Sequence, residues 1–271
     1  MAVNMSDQAR RIYEQEEVAK FMATSSNDGD VNVALIVTQV PVEADRIVFG
    51  EWMMVKTKKN LIENPRFASL AMTQKLQVAG FKADVDEWVT GGPYVDRINS
   101  LNIIRYNAYM GLHNVAIASI KEMLPLKPRV SYQALLGDFL ALRTFGRLDG
   151  SDKPVGVDTP PLVREKFNSL ISIKVLAFLD ADGYPGIAPV MTARFHSPGR
   201  LVLKISSYNR VIQTIGIPAR VALNVMTMDM KTYQLKGELV KLERSLGVTT
   251  GVVRVDEVYS SMPPFIGERL A

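Results

Sequence analysis

KFMATSSNDGDVNVALIV (20–37) and KVLAFLDADGYPGIAPVM (174–191) read as one pattern written twice, 154 positions apart. In each, an apolar run meets an Asp-Gly step, and a second apolar run follows. Glycine accepts the positive φ of a tight turn, so this is a hairpin signal. The register extends without a gap over 20–82 and 174–236, where thirteen of 63 positions are identical. They are Lys20/Lys174, Ala23/Ala177, Asp28/Asp182, Gly29/Gly183, Ala34/Ala188, Thr38/Thr192, Arg46/Arg200, Val48/Val202, Arg66/Arg220, Ala68/Ala222, Met72/Met226, Thr73/Thr227 and Lys82/Lys236. Most other pairs exchange one apolar residue for another, such as Met22/Leu176 and Leu61/Ile215. Register held this long points to an ancestral duplication.

Each copy has the same expected order. A polar helical lead (7–19; 161–170) precedes the hairpin, and Pro160 and Pro161 mark the second helix start. A third strand (RIVFGEW; RLVLKISS), a short helical stretch (LIENP; VIQTIGIP) and two closing strands follow. The far ends AIASIKEMLPLKP (116–128) and VVRVDEVYSSMPP (252–264) match at a smaller offset, which leaves an insertion at 91–114 in the first half. A helix is expected there over 94–106 and another over 131–143, before a Gly-, Asp- and Pro-rich linker at 146–161. Five or six short strands with one or two helices per unit imply a mainly β (α+β) chain of two small antiparallel barrels. The expected domains are 1–130 and 161–271, with helix and linker at 131–160 between them.

With 271 residues, 47% hydrophobic and 22% charged, the chain can bury two cores and is not disordered. It contains no cysteine, so disulfides and thiolate chemistry are absent. No apolar run is long enough to span a bilayer. The start, MAVNMSDQARRIYEQEE, has no apolar signal-peptide core, and a cytoplasmic protein is expected. A net charge of +4 suits a phosphorylated ligand and is too small to indicate nucleic acid.

The chain has only two histidines, His113 and His196, in different halves, and no HExxH, Cys/His cluster, Walker loop or GxGxxG. Asp180-Ala-Asp182-Gly183 lacks calcium-loop spacing and reads as a hairpin turn, so no metal site is expected. The exception to this blandness is WMMVKTKKNLIENP (52–65). Lys56, Thr57, Lys58 and Lys59 are expected between a strand end and a helix start, where ammonium groups, a hydroxyl and free N–H donors form a phosphate cradle. Residues Trp52 to Val55 would extend it into a flat apolar pocket. The alternative is a solvated basic turn. In the duplicate, SYNRVIQTIGIP keeps a single Arg210 here, so the fold does not need the lysines.

KFMATSSNDGDVNVALIV resembles the opening hairpin of the FMN-binding split β-barrel family related to pyridoxamine 5′-phosphate oxidase. Lys56-Thr57-x-x-Asn60-Leu61-x-x-Asn64-Pro65 and the closing VRVDEVY (253–259) are similar to later segments of that family. The resemblance implies two tandem split antiparallel β-barrels with a few short helices. It implies FMN as cofactor, with its phosphate on Lys56 and Thr57 and, less directly, Lys58, Lys59 and Asn60. The ring would lie near Asn32 to Val37 and Gly50 to Met53, with Trp52 between, at what is usually a homodimer interface. The two barrels would form that pair within one chain, with Tyr208, Asn209 and Arg210 as candidates for the second half's wall, and a further homodimer remains open. The Ser-Arg-Lys segment of the oxidase-like members is missing, which favours the flavin reductase-like branch. The second half lacks the phosphate segment, so a second FMN site is not expected.

Two functions follow. One is an FMN-dependent oxidoreductase acting on a small molecule, with Tyr94, Tyr106 and Tyr109 of the insertion available to cover a ring or to pack a helix. The other is a non-catalytic flavin or tetrapyrrole carrier, with His113 or His196 as conceivable axial ligands. Nucleic acid and membrane partners are not expected.

Overall fold

The computed structural model describes residues 3–107, 111–145, 156–261 and 265–271. Ser6 caps α1 (Asp7–Glu14), its hydroxyl accepting the Ala9 N–H at 3.3 Å. The first sheet then contains β1 (Ala19–Ser25), β2 (Val31–Leu35), β3 (Val40–Pro41), β4 (Arg46–Gly50), β5 (Arg66–Met72), β6 (Val78–Val89) and β7 (Val115–Met123). Helix α2 (Lys56–Glu63) precedes β5, and α3 (Pro93–Asn99) and α4 (Asn102–Asn107) lie between β6 and β7. After α5 (Tyr132–Phe145) and α6 (Pro161–Asn168) comes the second sheet. Its strands are β8 (Ile173–Leu179), β9 (Pro185–Pro189), β10 (Ala193–Ser197), β11 (Arg200–Ile205), β12 (Ala219–Met226), β13 (Thr232–Ser245) and β14 (Val248–Ser260). A short 3-10 helix (Arg210–Thr214) stands where α2 stands in the first unit.

Both sheets have seven strands, all adjacent pairs antiparallel, in the order β2-β1-β5-β6-β7-β4-β3 and its counterpart β9-β8-β12-β13-β14-β11-β10. The two edge strands of each sheet are sequence neighbours: residues 36–39 join β2 to β3 and 190–192 join β9 to β10. An edge can be handed to the opposite edge over so few residues only if the sheet curls into a barrel split at that point. The predicted hairpins are present, with Gly29 and Gly183 at φ of 76° and 78°.

Several expected boundaries move. There are seven strands per unit rather than five or six, because two-residue β3 is too short to show a period and the expected run 186–195 breaks between β9 and β10. The leading helix stops at Glu14, since Gln15 is already extended. The helix expected over 94–106 is two helices: α3 ends at Asn99 with Ser100 as its C-cap, and the Asn102 N–H opening α4 donates to the Glu16 carboxylate at 2.8 Å.

Each barrel has its own core, around Phe49, Phe67 and Phe81 in the first and Phe167, Leu203 and Leu235 in the second. A third apolar cluster joins the units, with Phe21, Val33 and Leu70 packed against Val175, Ile187 and Ala222. Identical residues of the two copies rim this joint. Lys82 Nζ donates to Asp180 and Asp182 of the other unit at 2.8 and 2.6 Å, and Lys236 reciprocates with Asp30. Arg220 lies 3.5 Å from Asp30, while Arg66 stacks over Tyr184 at 5.0 Å. Lys20 and Lys174 are buried and structural: Lys20 donates to the Gln39 carbonyl, and Lys174 to those of Ser169, Ser172 and Met191.

Candidate functional site

A cleft of about 480 Å³ opens between the two units. The first unit supplies Asn32 to Thr38, the loop residues Trp52, Met53 and Val55, and Lys56 and Thr57 of α2. The facing wall comes from β13, β14 and the C-terminal segment, chiefly Thr232, Gln234, Tyr259 and Ile266. Ile103 and Asn107 of α4 close one side.

The lysine segment does not precede the helix but forms its first turn. No side chain caps α2 at Val55, and the first backbone bond belongs to Lys59, whose N–H reaches the Val55 carbonyl at 3.3 Å. The N–H groups of Lys56, Thr57 and Lys58 are therefore the orphan donors that every helix start leaves. Two asparagines fix the helix: Asn60 Nδ2 donates to Thr24 Oγ1 and Asn64 Nδ2 to Ser25 Oγ, each at 3.1 Å. Pinned to β1 in this way, α2 turns Lys56 and Thr57 into the cleft.

Lys56 Nζ is shielded from solvent and has no hydrogen-bond acceptor among the described residues. It lies 2.9 Å from the centroid of the Tyr259 ring, a cation–π contact across the two units. Burial, followed by the charge of Lys236, pushes its ammonium down to about 8, against the pull of Glu257 and Asp30. Beside it a polar relay crosses the interface. Gln234 Nε2 donates to Asn32 Oδ1 at 3.0 Å and to the Val33 carbonyl at 2.7 Å, and Asn32 Nδ2 donates to Thr57 Oγ1 at 3.1 Å. Thr57 keeps a proton with no acceptor among the described residues. The rest of the lining is largely apolar and, among the described residues, contains no carboxylate, arginine or histidine. The arrangement suits a flat, mostly apolar molecule with an anionic end.

Of the residues singled out from sequence, Asn32, Val37, Trp52, Met53, Lys56 and Thr57 line the cleft. Three do not. Lys58 pairs with Glu51 at 2.6 Å, Lys59 is exposed, and Asn60 is spent on Thr24. Tyr208 and Arg210 line a separate cavity and Asn209 caps its own turn, so the second unit's wall is built by Gln234 and Tyr259 instead. Tyr94 donates to Glu43, Tyr106 is 79% exposed, and Tyr109 lies outside the described residues; the insertion reaches the cleft through Ile103 and Asn107. His113 and His196 are both exposed and away from the cleft. Gln234 escaped notice in the sequence. Its signal is a glutamine, buried in the structure, between Tyr233 and Leu235 of a strand whose neighbour β12 carries a buried Asn224.

No helix among the described residues is long and apolar enough to cross a membrane. No family model and no curated protein matches the chain. Among solved structures, the chain is similar to an FMN-binding protein from Syntrophomonas wolfei, at 19% identity over 45% of this chain and 85% of that one, with a TM-score of 0.39. HupZ of Group A Streptococcus aligns at 13% identity over 47% of this chain and 99% of its own, with a TM-score of 0.37. The inhibitor of motility MotI/DgrA of Bacillus subtilis aligns over 89% of this chain and 88% of its own, at 8% identity and a TM-score of 0.26. At these scores the likenesses settle neither ligand nor activity.

Proposed function

We propose that the cleft binds FMN and that the protein is an FMN-dependent oxidoreductase acting on a small molecule, of the flavin reductase-like kind that its sequence resembles. On this reading the chain is a tandem duplication with barrel domains at 1–130 and 161–271, connected by 131–160. The observation that carries it is the unpartnered, shielded ammonium of Lys56 at an uncapped helix start, opening onto an apolar slot. A phosphate fits the first feature because it is anionic and accepts several N–H bonds, and an isoalloxazine ring fits the second.

Lys56, Thr57 and the free N–H groups of α2 would hold the phosphate. The strand and loop from Asn32 to Thr38 would flank the ring, and Trp52, Met53, Ile103 and Ile266 would exclude water from it. Bound FMN would supply hydride or electron transfer, chemistry the protein's own side chains lack. The Gln234–Asn32–Thr57 relay holds the hydroxyl in position and ties the site to both units. One observation favours the second reading, a flavin carrier without turnover: apart from Lys56 and Tyr259, no acid or base side chain among the described residues lines the cleft. An iron tetrapyrrole would find no imidazole there.

The test is an absorption spectrum of the protein after loading with FMN and desalting. Bands near ~375 and ~450 nm, the signature expected of a flavin cofactor, should be retained and should be lost in Lys56→Ala/Thr57→Ala. NADPH-dependent bleaching separates enzyme from carrier. A protein that retains no flavin overturns the assignment.

A further inference from the structure

The duplication places a second cavity where the cleft's counterpart should be. Shifting by 154 turns Asn32 into Gly186, Met53 into Ser207, Lys56 into Arg210 and Thr57 into Val211, and these four line a separate cavity of about 330 Å³. From the facing unit, Gln234 becomes Gly80. Leu124 stands where Tyr259 stands, since its N–H bonds the Gly80 carbonyl as Tyr259 pairs with Gln234.

The exchanges share a direction. Each polar member of the relay has become glycine or an apolar residue, and neighbouring side chains fill the space. The Phe178 ring, at the position of Thr24, lies where a Cβ on Gly186 would approach within 2.5 Å. Leu124 and Leu126 cover Gly80 so closely that a Cβ there would meet their methyl groups at 2.9 and 3.0 Å. A single feature survives, a cation at the first position of the helical turn: Lys56 in one cleft, Arg210 in the other. Lys127 adds a second cation to this rim, and neither has an ion-pair partner among the described residues. The one carboxylate in the lining, Asp180, is engaged by Lys82. The cavity is thus a mostly apolar slot with cations at its mouth: no asparagine or glutamine lines it, the position of Thr57 is Val211, and the hydroxyl of Thr214 in the lining donates to the Val211 carbonyl.

We propose that this second cavity binds a small apolar carboxylate, an aryl or short alkyl chain ending in one negative charge, independently of the first cleft. The chain would lie among Leu124, Leu126, Phe178, Ile187 and Val211, and the carboxylate would meet Arg210 and Lys127. The volume lies at the lower end of what ligand pockets of ~300–1,000 Å³ offer, which limits the ligand to roughly a dozen heavy atoms. Duplication has in this sense produced two ligand specificities from one architecture: a phosphate site kept in one copy and an apolar-acid site made in the other.

The experiment is calorimetric titration of the full chain with 4-phenylbutyrate and with its neutral analogue 4-phenylbutyramide. The carboxylate should bind saturably at one per chain and about five-fold or more tighter than the amide, the worth of a partly exposed ion pair. Arg210→Glu should remove that preference. Ser207→Trp, at an exposed position on the mouth, should abolish binding, while Lys56→Ala should leave it unchanged. Both mouth residues are exposed, so melting temperatures near that of the parent protein are expected, and Arg210→Glu decides alone if Ser207→Trp does not fold. Absence of saturable binding, binding that survives both mouth variants, or binding lost in Lys56→Ala would each overturn the proposal.

Discussion

Lys82→Met tests how the two units are held in the arrangement that makes the cleft. Lys82 is 6% exposed at its side chain, and its ammonium donates to Asp180 and Asp182 of the other unit at 2.8 and 2.6 Å. Methionine keeps the apolar stem and removes only the charge. A hydrogen bond to a charged group is worth ~1.5–3 kcal/mol, but the two carboxylates are 30% and 46% exposed and regain water when the lysine is lost. A discount to about 1 kcal/mol for each bond gives a loss of about 2 kcal/mol. For a chain of this size that lowers the melting temperature by about 4–8 °C. The sign with pH follows from the shifts. Burial opposes the charge on both sides, and the hydrogen bonds and charges of the pair outweigh it: Lys82 is held above its ordinary value and Asp182 below. The contribution is therefore full between about pH 4 and pH 10.5, the unfolded values. It is lost at higher pH as Lys82 deprotonates and at lower pH as Asp182 takes up a proton. Thermal denaturation of Lys82→Met, of Asp180→Asn/Asp182→Asn and of their combination forms a double-mutant cycle. A coupling of about 1–2 kcal/mol is expected, and one below about 0.3 kcal/mol would refute the reasoning.

Three further outcomes are expected. Gln234→Ala leaves Asn32 Oδ1 without its donor across the interface and the Val33 carbonyl with only the long 3.5 Å bond from Asn224, at a cost of about 2 kcal/mol in chemical denaturation; an unchanged midpoint would show the relay to be idle. Lys174→Met removes the donor of three carbonyls, those of Ser172 and Met191 buried and that of Ser169 partly so, and should cost about 3 kcal/mol or prevent folding, whereas the same change at exposed Lys59 should do nothing measurable. Because Lys56 is pushed down to about 8, it is charged below that pH and neutral above it. Affinity for FMN should then fall as pH rises from 7 to 10, and Lys56→Arg should flatten the profile; a profile equally flat in the parent protein would remove Lys56 from the site.

The fold was legible where the chain's local chemistry is decisive. Asp28-Gly29 and Asp182-Gly183 mark their turns because few residues besides glycine accept the positive φ found there. The shared register carries the strand order of both sheets. β3 was not legible, since two residues have no period to read. The start of α2 was misplaced for a related reason. Val55 gives no capping signal, and Thr57, which looks like a cap, turns its hydroxyl to Asn32. Lys56 and Thr57 stood out because the duplicate lacks them. Gln234 and Tyr259 did not, because their meaning depends on how the second barrel is set against the first, and no local pattern records that. Lys58 shows the converse: a residue of the right type, in the right segment, already taken by Glu51.

The account rests on one anionic ligand bound in a cleft that both units build, and a fluorescence titration of FMN tests this most directly. Saturation at one flavin per chain is expected, with affinity weakened both by Lys56→Ala in the first unit and by Tyr259→Ala in the second. Saturation at two per chain, or affinity indifferent to Tyr259→Ala, would contradict it.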